Sequence, residues 1–362
     1  MSEIKVNSIK GVGASTAAIT VNNTDGTCTA NLSNRQGKNL VVNGGMTIAQ
    51  RSTSSTDQLY STVDRIRAAR VNVSANPTFA QVDVASGTTP YSLGFRKAFK
   101  ITNASQSGSN TNSVIAFSNR CEARNVAISG WNYTSTSSYI TLQCWVKSSV
   151  AQNFYIRLFT QDGTQKNYPM ETGSLTADTW TKITKTISGH ADLQFDNDFD
   201  RGLDIDFSIF RGTDQTASGV TLNQWANLDD TAKIPDMTST WYTTNAATFE
   251  ITGLQLEVGQ HASDFEIESQ AETLAKCQRY FEICRGGVTA TGVNSGFLGN
   301  GVMFRVTKRA TPTITRISDY QIGNVNTPYS DLVDVNGFQA VAQHDGSGNM
   351  KFATKYSAEA EL

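Results

Sequence analysis

Two aspartates come closest to a reactive pattern in this chain. Asp204 and Asp206 alternate within an apolar strand-like run, which puts both carboxyls on one face about 7 Å apart. Two carboxylates near that separation can flank a glycosidic bond. The same alternation is also the ordinary wet side of a strand, and no second feature favours a dyad. Asp196, Asp198 and Asp200 have the one-three-five oxygen spacing of a calcium loop. However, Arg201 stands where the sharp turn needs glycine, and Phe207 falls at the twelfth position, where a bidentate carboxylate belongs. The histidines (His190, His261, His344) sit beside loop-like residues, and neither HExxH nor Cys-x-x-Cys is present. Gly299-Asn300-Gly301 lacks the third glycine of a dinucleotide loop. There is no Walker sequence, no G-x-S-x-G elbow and no solenoid repeat. Catalysis is not expected.

Recognition of sugars is the chemistry that remains. A sugar ring offers apolar C–H faces to aromatic rings and hydroxyls to planar hydrogen-bonding groups. In residues 139–147 the alternation turns Ile140, Leu142, Cys144 and Val146 to one face, leaving Tyr139, Thr141, Gln143, Trp145 and Lys147 on the other. In residues 154–159, Tyr155, Arg157 and Phe159 alternate with Phe154, Ile156 and Leu158. Gln143, Trp145, Tyr155, Arg157 and Phe159 are thus expected on an outer sheet face. That face suits a sugar, or equally a neighbouring subunit or a packed loop. Trp131, Tyr133, Trp241 and Tyr242 lie in loop-like stretches, either rimming such a site or plugging the core.

Strands must carry these residues. Period-two segments separated by polar turns run through residues 38–266 and predict a two-sheet antiparallel sandwich. In residues 249–256 the apolar phase slips at Gly253, which predicts a β-bulge. Ser269 and Glu272 form an S-x-x-E capping box, and Gly286-Gly287 supplies a stop, so a helix is expected over 269–285 within a connector at 267–287. Leu274, Cys277, Phe281 and Cys284 would form its apolar stripe, docking on the sandwich or on copies of the same helix. Further strand candidates in 288–362 predict a smaller β-domain. Residues 1–37 have too few large apolar side chains for a core and must find partners elsewhere.

Bulk properties exclude other classes. The chain has 362 residues, suiting two β-domains plus an extension. A formal net charge of -2 leaves no electrostatic footprint for nucleic acid or anionic membranes. No apolar run approaches the ~20 residues of a spanning helix. The opening residues also lack the apolar core of a secretory signal, so synthesis in a cytoplasm without conventional export is expected. Cys28, Cys121, Cys144, Cys277 and Cys284 are odd in number without repeating spacing, and read as reduced, buried side chains.

Particular stretches resemble a known family. Residues 39–51 (Asn39-Leu-Val-Val-Asn-Gly-Gly-Met-Thr-Ile-Ala-Gln-Arg51) and then Asp64-Arg65 look like the opening of the jelly-roll module of bacteriophage tail fibre and receptor-binding proteins. Residues 140–148 and 249–259, together with Cys277-Gln-Arg-Tyr-Phe281, fit the same module, which is similar to carbohydrate-binding-module sandwiches. Residues 304–314 and the stretch Ala358-Glu-Ala-Glu-Leu362 look like a distal domain of such proteins. The resemblance implies an all-β protein: a jelly-roll β-sandwich, then one short helix and a smaller C-terminal β-domain. It further implies a homotrimer in the virion tail, joined to other tail proteins through residues 1–37 and attaching to a host-surface glycan. A structural calcium ion near Asn43 and Glu257 is also implied by it. The alternative is a purely structural virion component, a head fibre or tail adaptor without receptor binding.

Overall fold

The computed structural model describes residues 6–13, 17, 19–21, 28–30 (main chain only), 37–108, 111–291, 296–346 and 348–362. The protein is all-β. Near its start, Ser8–Ile9, Ile19–Val21 and Cys28–Ala30 pair into a small antiparallel sheet. Its described side chains are mostly exposed.

Two six-stranded antiparallel sheets then face each other. One has the order Ala226–Asn227, Lys166–Ser174, Asn153–Thr160, Arg201–Arg211, Val114–Glu122, Arg67–Val71. The other runs Thr181–Ser188, Tyr139–Ser148, Thr248–Val258, Lys97–Thr102, Thr78–Asp83, Ser54–Ser55. The predicted inner sets meet in one core: Ile140, Leu142, Cys144 and Val146 lie buried with Phe154, Ile156, Leu158 and Phe207. Phe117 stacks on Phe207 with centroids 4.7 Å apart, and Phe99 tilts against it at 5.2 Å. Each such side chain contributes about 1.5–3 kcal/mol on burial. The phase slip falls where expected. Gly253 has φ +65°, the register shifts between Thr252 and Gln255, and a Cβ there would lie 2.6 Å from the Phe95 ring.

Beyond the sandwich the chain departs from expectation. The helix spans Gln270–Gln278, with both hydrogen bonds of the Ser269/Glu272 capping box formed, but it does not continue to residue 285. Phe281–Ala290 is a strand, paired over ten residues with Met350–Glu359. The apolar spacing from Leu274 to Cys284 suits a helix, yet a ten-residue ladder along one edge of the segment, with Phe281 and Cys284 buried, holds it as a strand. Gly286 is therefore no helix stop: it lies where a Cβ would stand 2.4 Å from that of Ala340, so its role is close packing. Among the described residues, three one-turn α-helices (Thr89–Ser92, Ala123–Ala127, Thr240–Thr243) and a 3₁₀ turn at Thr213–Gln215 accompany the longer one.

Met350–Glu359 is the centre of a three-stranded sheet, with Phe281–Ala290 on one side and Thr313–Gly323 on the other. A second such sheet contains Phe297–Met303, Gly337–Gln343 and Tyr329–Asp331. Cys284, Val302, Phe338, Ala340, Phe352 and Tyr356 fill the core they share. Cys121, Cys144, Cys277 and Cys284 are free and buried, while the side chain of Cys28 lies outside the described residues. Among the described residues, no helix is long and apolar enough to cross a membrane.

Candidate functional site

The motifs most distinctive in the sequence converge where the sandwich meets the C-terminal sheets. Arg65 is buried, with its guanidinium 3.6 Å from the ring centroid of Tyr280 and ion-paired to Glu361. Arg51 stacks on Phe281 at 3.6 Å and reaches Glu361 at 3.1 Å. Glu122, at the end of a sandwich strand, accepts from Arg279 Nε at 2.8 Å, Arg279 Nη2 at 3.0 Å and the Tyr280 hydroxyl at 2.7 Å. Glu282 binds Lys308 at 2.8 Å and Arg305 at 3.2 Å. Burial raises the Tyr280 phenol above its usual range, with Arg65 opposing it, and burial lowers the Lys308 ammonium. Buried charges matched this closely make a stiff joint, because removing any one partner strands another in a medium that solvates it poorly. The segment read as a helical connector is therefore welded to both units. The same packing corrects the helix-face interface: Cys277, Phe281 and Cys284 are buried inside the chain, and only Leu274 of that set is partly exposed.

The aromatic platform expected from the strand phases is divided. Tyr139–Ser148 and Asn153–Thr160 are consecutive but belong to opposite sheets, so Trp145 and Tyr155 lie on opposite outer faces of the sandwich. Gln143 is buried and donates to the Ser263 carbonyl at 2.6 Å, beneath residues 259–268, which cross that face. Arg157 is buried 3.3 Å from Asp206 and stacks 4.0 Å from the Phe159 centroid. Trp131 packs against Tyr133 and Phe195, and its Nε1 donates to the Ser138 carbonyl at 3.3 Å. Trp241 is fully buried and donates to the Thr248 carbonyl at 3.0 Å. Both tryptophans are core plugs, and their indole N–H groups are satisfied by main chain. Half-buried Tyr155 remains on its face, and half-buried Trp145 on the other, near Trp180 and Tyr91. Sequence reasoning passed over Trp180, which enters through the pairing of Lys182 opposite Trp145.

The aspartates form no dyad. Asp204 is buried between Arg120 and Arg201, and Asp206 between Arg157 and Arg211. Burial pushes the Asp206 carboxyl up, but Arg211 and Arg157 outweigh it and hold it at about 2. A carboxylate so far below neutrality is no general acid; burial raises the Asp204 carboxyl against the pull of Arg201 and Arg120, and both groups are enclosed by arginines in a buried charge ladder where a wet face was the alternative. The proposed calcium ligands are likewise occupied. Asn43 donates to the carbonyls of Ile48 and Asp64, each at 2.9 Å, and accepts from Ile48 N at 3.1 Å. Glu257 accepts from Gln255 and Ser263, each at 2.8 Å. Among the described residues no group of three or more His, Cys, Asp or Glu side chains could hold a metal ion.

Two concave surfaces stand out among the described residues. A cavity of about 230 Å³ lies between Val41, Phe95, Phe265 and Ile267, with Glu266 at its edge holding the main chain at Asn39. The second, an open cleft of about 540 Å³ in the C-terminal unit, is lined by Ile283, Cys284, Arg285, Val302, Met303, Arg305, Tyr320 and Lys355, with Glu282 behind. Its volume is that of a small-ligand site. Arg285 stands on Phe281–Ala290 directly opposite Lys355 on Met350–Glu359. Tyr320 is the extra residue where the register of Thr313–Gly323 shifts between Asp319 and Gln321, and a bulge of this kind re-aims a side chain. Its ring is 54% exposed and lies 4.6 Å from the Arg285 guanidinium. Burial pushes the Cys284 thiol up to about 12, which leaves it unreactive near neutrality. The cleft can stack a ring and offer cationic hydrogen-bond donors. None of its residues was singled out for binding from sequence, since Arg285 points into it only because 281–290 is a strand.

No family model and no curated protein matches the chain. Among solved structures it is similar to the enzymatically active domain of bacteriophage CBA120 tailspike protein 4, with TM-score 0.34 and 11% identity over 61% of this chain and 21% of that one. It is similar to the N-terminal cellulose-binding domain of Cellulomonas fimi β-1,4-glucanase C, with TM-score 0.27 and 9% identity over 61% of this chain and 100% of that one. Discoidin II of Dictyostelium discoideum aligns with TM-score 0.19 and 12% identity over 71% of this chain and 81% of that one. The chain spans about a fifth of the tailspike domain's length. Likeness at this level identifies no activity.

Proposed function

We propose that the protein binds a saccharide on a host surface as part of a bacteriophage tail fibre, and that the C-terminal cleft is the binding site. One observation carries the binding claim: the bulge-mounted ring of Tyr320 stands beside Arg285, with Arg305 and Lys355 lining the same cleft. Sugar recognition needs such a ring for C–H faces and fixed donors for hydroxyls. The remainder of the chain acts as a stiff scaffold. Residues 1–37 would join it to other tail proteins, and a homotrimer would present several clefts together. Multivalency of that kind raises avidity by roughly 10²–10⁴ over a single weak contact. The tail-fibre assignment is supported by the order of the motifs in 39–362, and binding without turnover by the arginine-locked aspartates.

A glycan array probed with the full chain tests this reading. Tyr320→Ala should abolish retention, while Trp145→Ala and Tyr155→Ala leave it intact. Loss on Trp145→Ala or Tyr155→Ala alone would move the site to a face of the sandwich, and no retention of any glycan would end the proposal. Light scattering checks the trimer, which a monomer at micromolar concentration contradicts.

A specific observation favours the second reading, a head fibre or tail adaptor without receptor. Arg51, Arg65, Arg279, Tyr280 and Glu361, from the motifs behind the resemblance, are all engaged in the joint. The motifs therefore speak for architecture.

A further inference from the structure

We propose that the saccharide held in the C-terminal cleft is acidic, its carboxylate, phosphate or sulfate group sitting between Arg285 and Lys355. This rests on the reading that the cleft binds a saccharide. The antiparallel register sets Arg285 directly opposite Lys355, which puts two cations on one face of adjacent strands. Like charges so placed repel and destabilise the sheet, whereas an acid at one of the two positions would stabilise it. Here no acid answers them. Among the described residues neither Arg285 nor Lys355 forms an ion pair; the one cationic contact is Arg285 against the Tyr320 ring, at 4.6 Å.

The neighbouring carboxylates are committed elsewhere. Glu282 is held by Lys308 at 2.8 Å and by Arg305 at 3.2 Å. Glu359, four residues along the strand from Lys355, lies 3.8 Å from Arg51. Asp319 pairs with Arg316 and accepts from Thr354 at 2.9 Å, and Thr354 faces away from Lys355 in the strand alternation. The lining thus sets Arg285, Arg305 and Lys355 against a single neutralised carboxylate. In a chain whose net charge is -2, a local excess of cations is no by-product of a basic composition.

An anionic substituent would convert the repulsion into attraction. The guanidinium of Arg285 offers two parallel N–H donors to an oxyanion, and Lys355 adds a point charge. Tyr320 then stacks the sugar ring beside its charged group, so ring and charge are recognised together.

The test uses the full-length protein on an array carrying uronate, sialylated, sulfated and phosphorylated glycans beside neutral ones, with inorganic phosphate as a competitor. Retention should be confined to acidic glycans and weaken as salt is raised. Arg285→Gln and Lys355→Met should each reduce it at least tenfold, and phosphate should compete only weakly because it lacks the ring. Both variants should melt at or above the wild-type temperature, since each removes a repulsion, which also shows them folded. Equal retention of neutral glycans, or unchanged acidic retention by both variants, overturns the charge assignment and leaves the saccharide reading standing. Retention of no glycan, or phosphate binding as tightly as any glycan, removes both.

Discussion

Glu122→Gln isolates the joint between the two units with minimal change of shape. In the wild type one carboxylate accepts three hydrogen bonds, two from Arg279 and one from Tyr280. Glutamine keeps one acceptor oxygen and turns an NH₂ group towards a donor. Arg279 loses its counter-charge, and either a guanidinium N–H or the buried Tyr280 hydroxyl loses its acceptor. Breaking one side of a buried pair costs about 3–5 kcal/mol. The Arg279 side chain is 28% exposed, so water recovers part of this and about 3 kcal/mol is expected. At roughly 4–8 °C per kcal/mol for a unit the size of the C-terminal sheets, the affected transition should fall by about 12–24 °C. Scanning calorimetry is the assay. The wild type should melt in one transition, because the joint couples sandwich to C-terminal sheets, and the variant should show an earlier C-terminal transition. A double-mutant cycle with Arg279→Met should be strongly non-additive. A Glu122→Gln protein melting as one unit within 1–2 °C of wild type (a margin well below the shift worked above) would refute the stiff-joint argument.

Other consequences are as direct. Asp206 is held at about 2 by Arg211 and Arg157, below the ordinary carboxyl value, so the unfolded chain binds the extra proton. Its contribution, about 2 kcal/mol, is present above the unfolded value and is lost as pH falls through about 2. Denaturant titrations between pH 5 and pH 2 (a span of roughly 3 units about these values) should show a flatter stability slope in Asp206→Asn. Gly44→Ala would place a Cβ 1.9 Å from the Leu254 carbonyl oxygen; a loss of about 3 kcal/mol in urea unfolding, or failure to fold, is expected. Trp241→Ala should cost about 3–5 kcal/mol in the same assay, while glycan retention below its melting temperature stays unchanged. A thermally silent Trp241→Ala would contradict its place as a core plug.

Much of the sandwich was legible in the residues. Alternation separated Ile140, Leu142, Cys144 and Val146 from their polar neighbours, because a strand buried on one face must keep period two. The Gly253 slip and the Ser269/Glu272 box were legible for the same reason: bulges and caps are local, and their chemistry lies within a few residues. Alternation shows which way a side chain points relative to its own strand, but not which sheet that strand joins. Trp145 and Tyr155 therefore looked like neighbours and are on opposite faces. Buried arginine–aspartate ladders are equally hidden, since Asp-x-Asp reads as a wet face until the covering cations are located.

The sequence by itself determined an all-β chain, its inner residue sets and its turn points, since these follow from backbone period and local propensity. Tertiary structure alone decided that residues 281–290 are a strand, because ten pairings with Met350–Glu359 outweighed a helical spacing that was only locally satisfied. That one decision aims Arg285 at Lys355 and brings Tyr320 beside it, from three segments distant in the chain. Register across a sheet is a non-local property, and the cleft exists only once it is set.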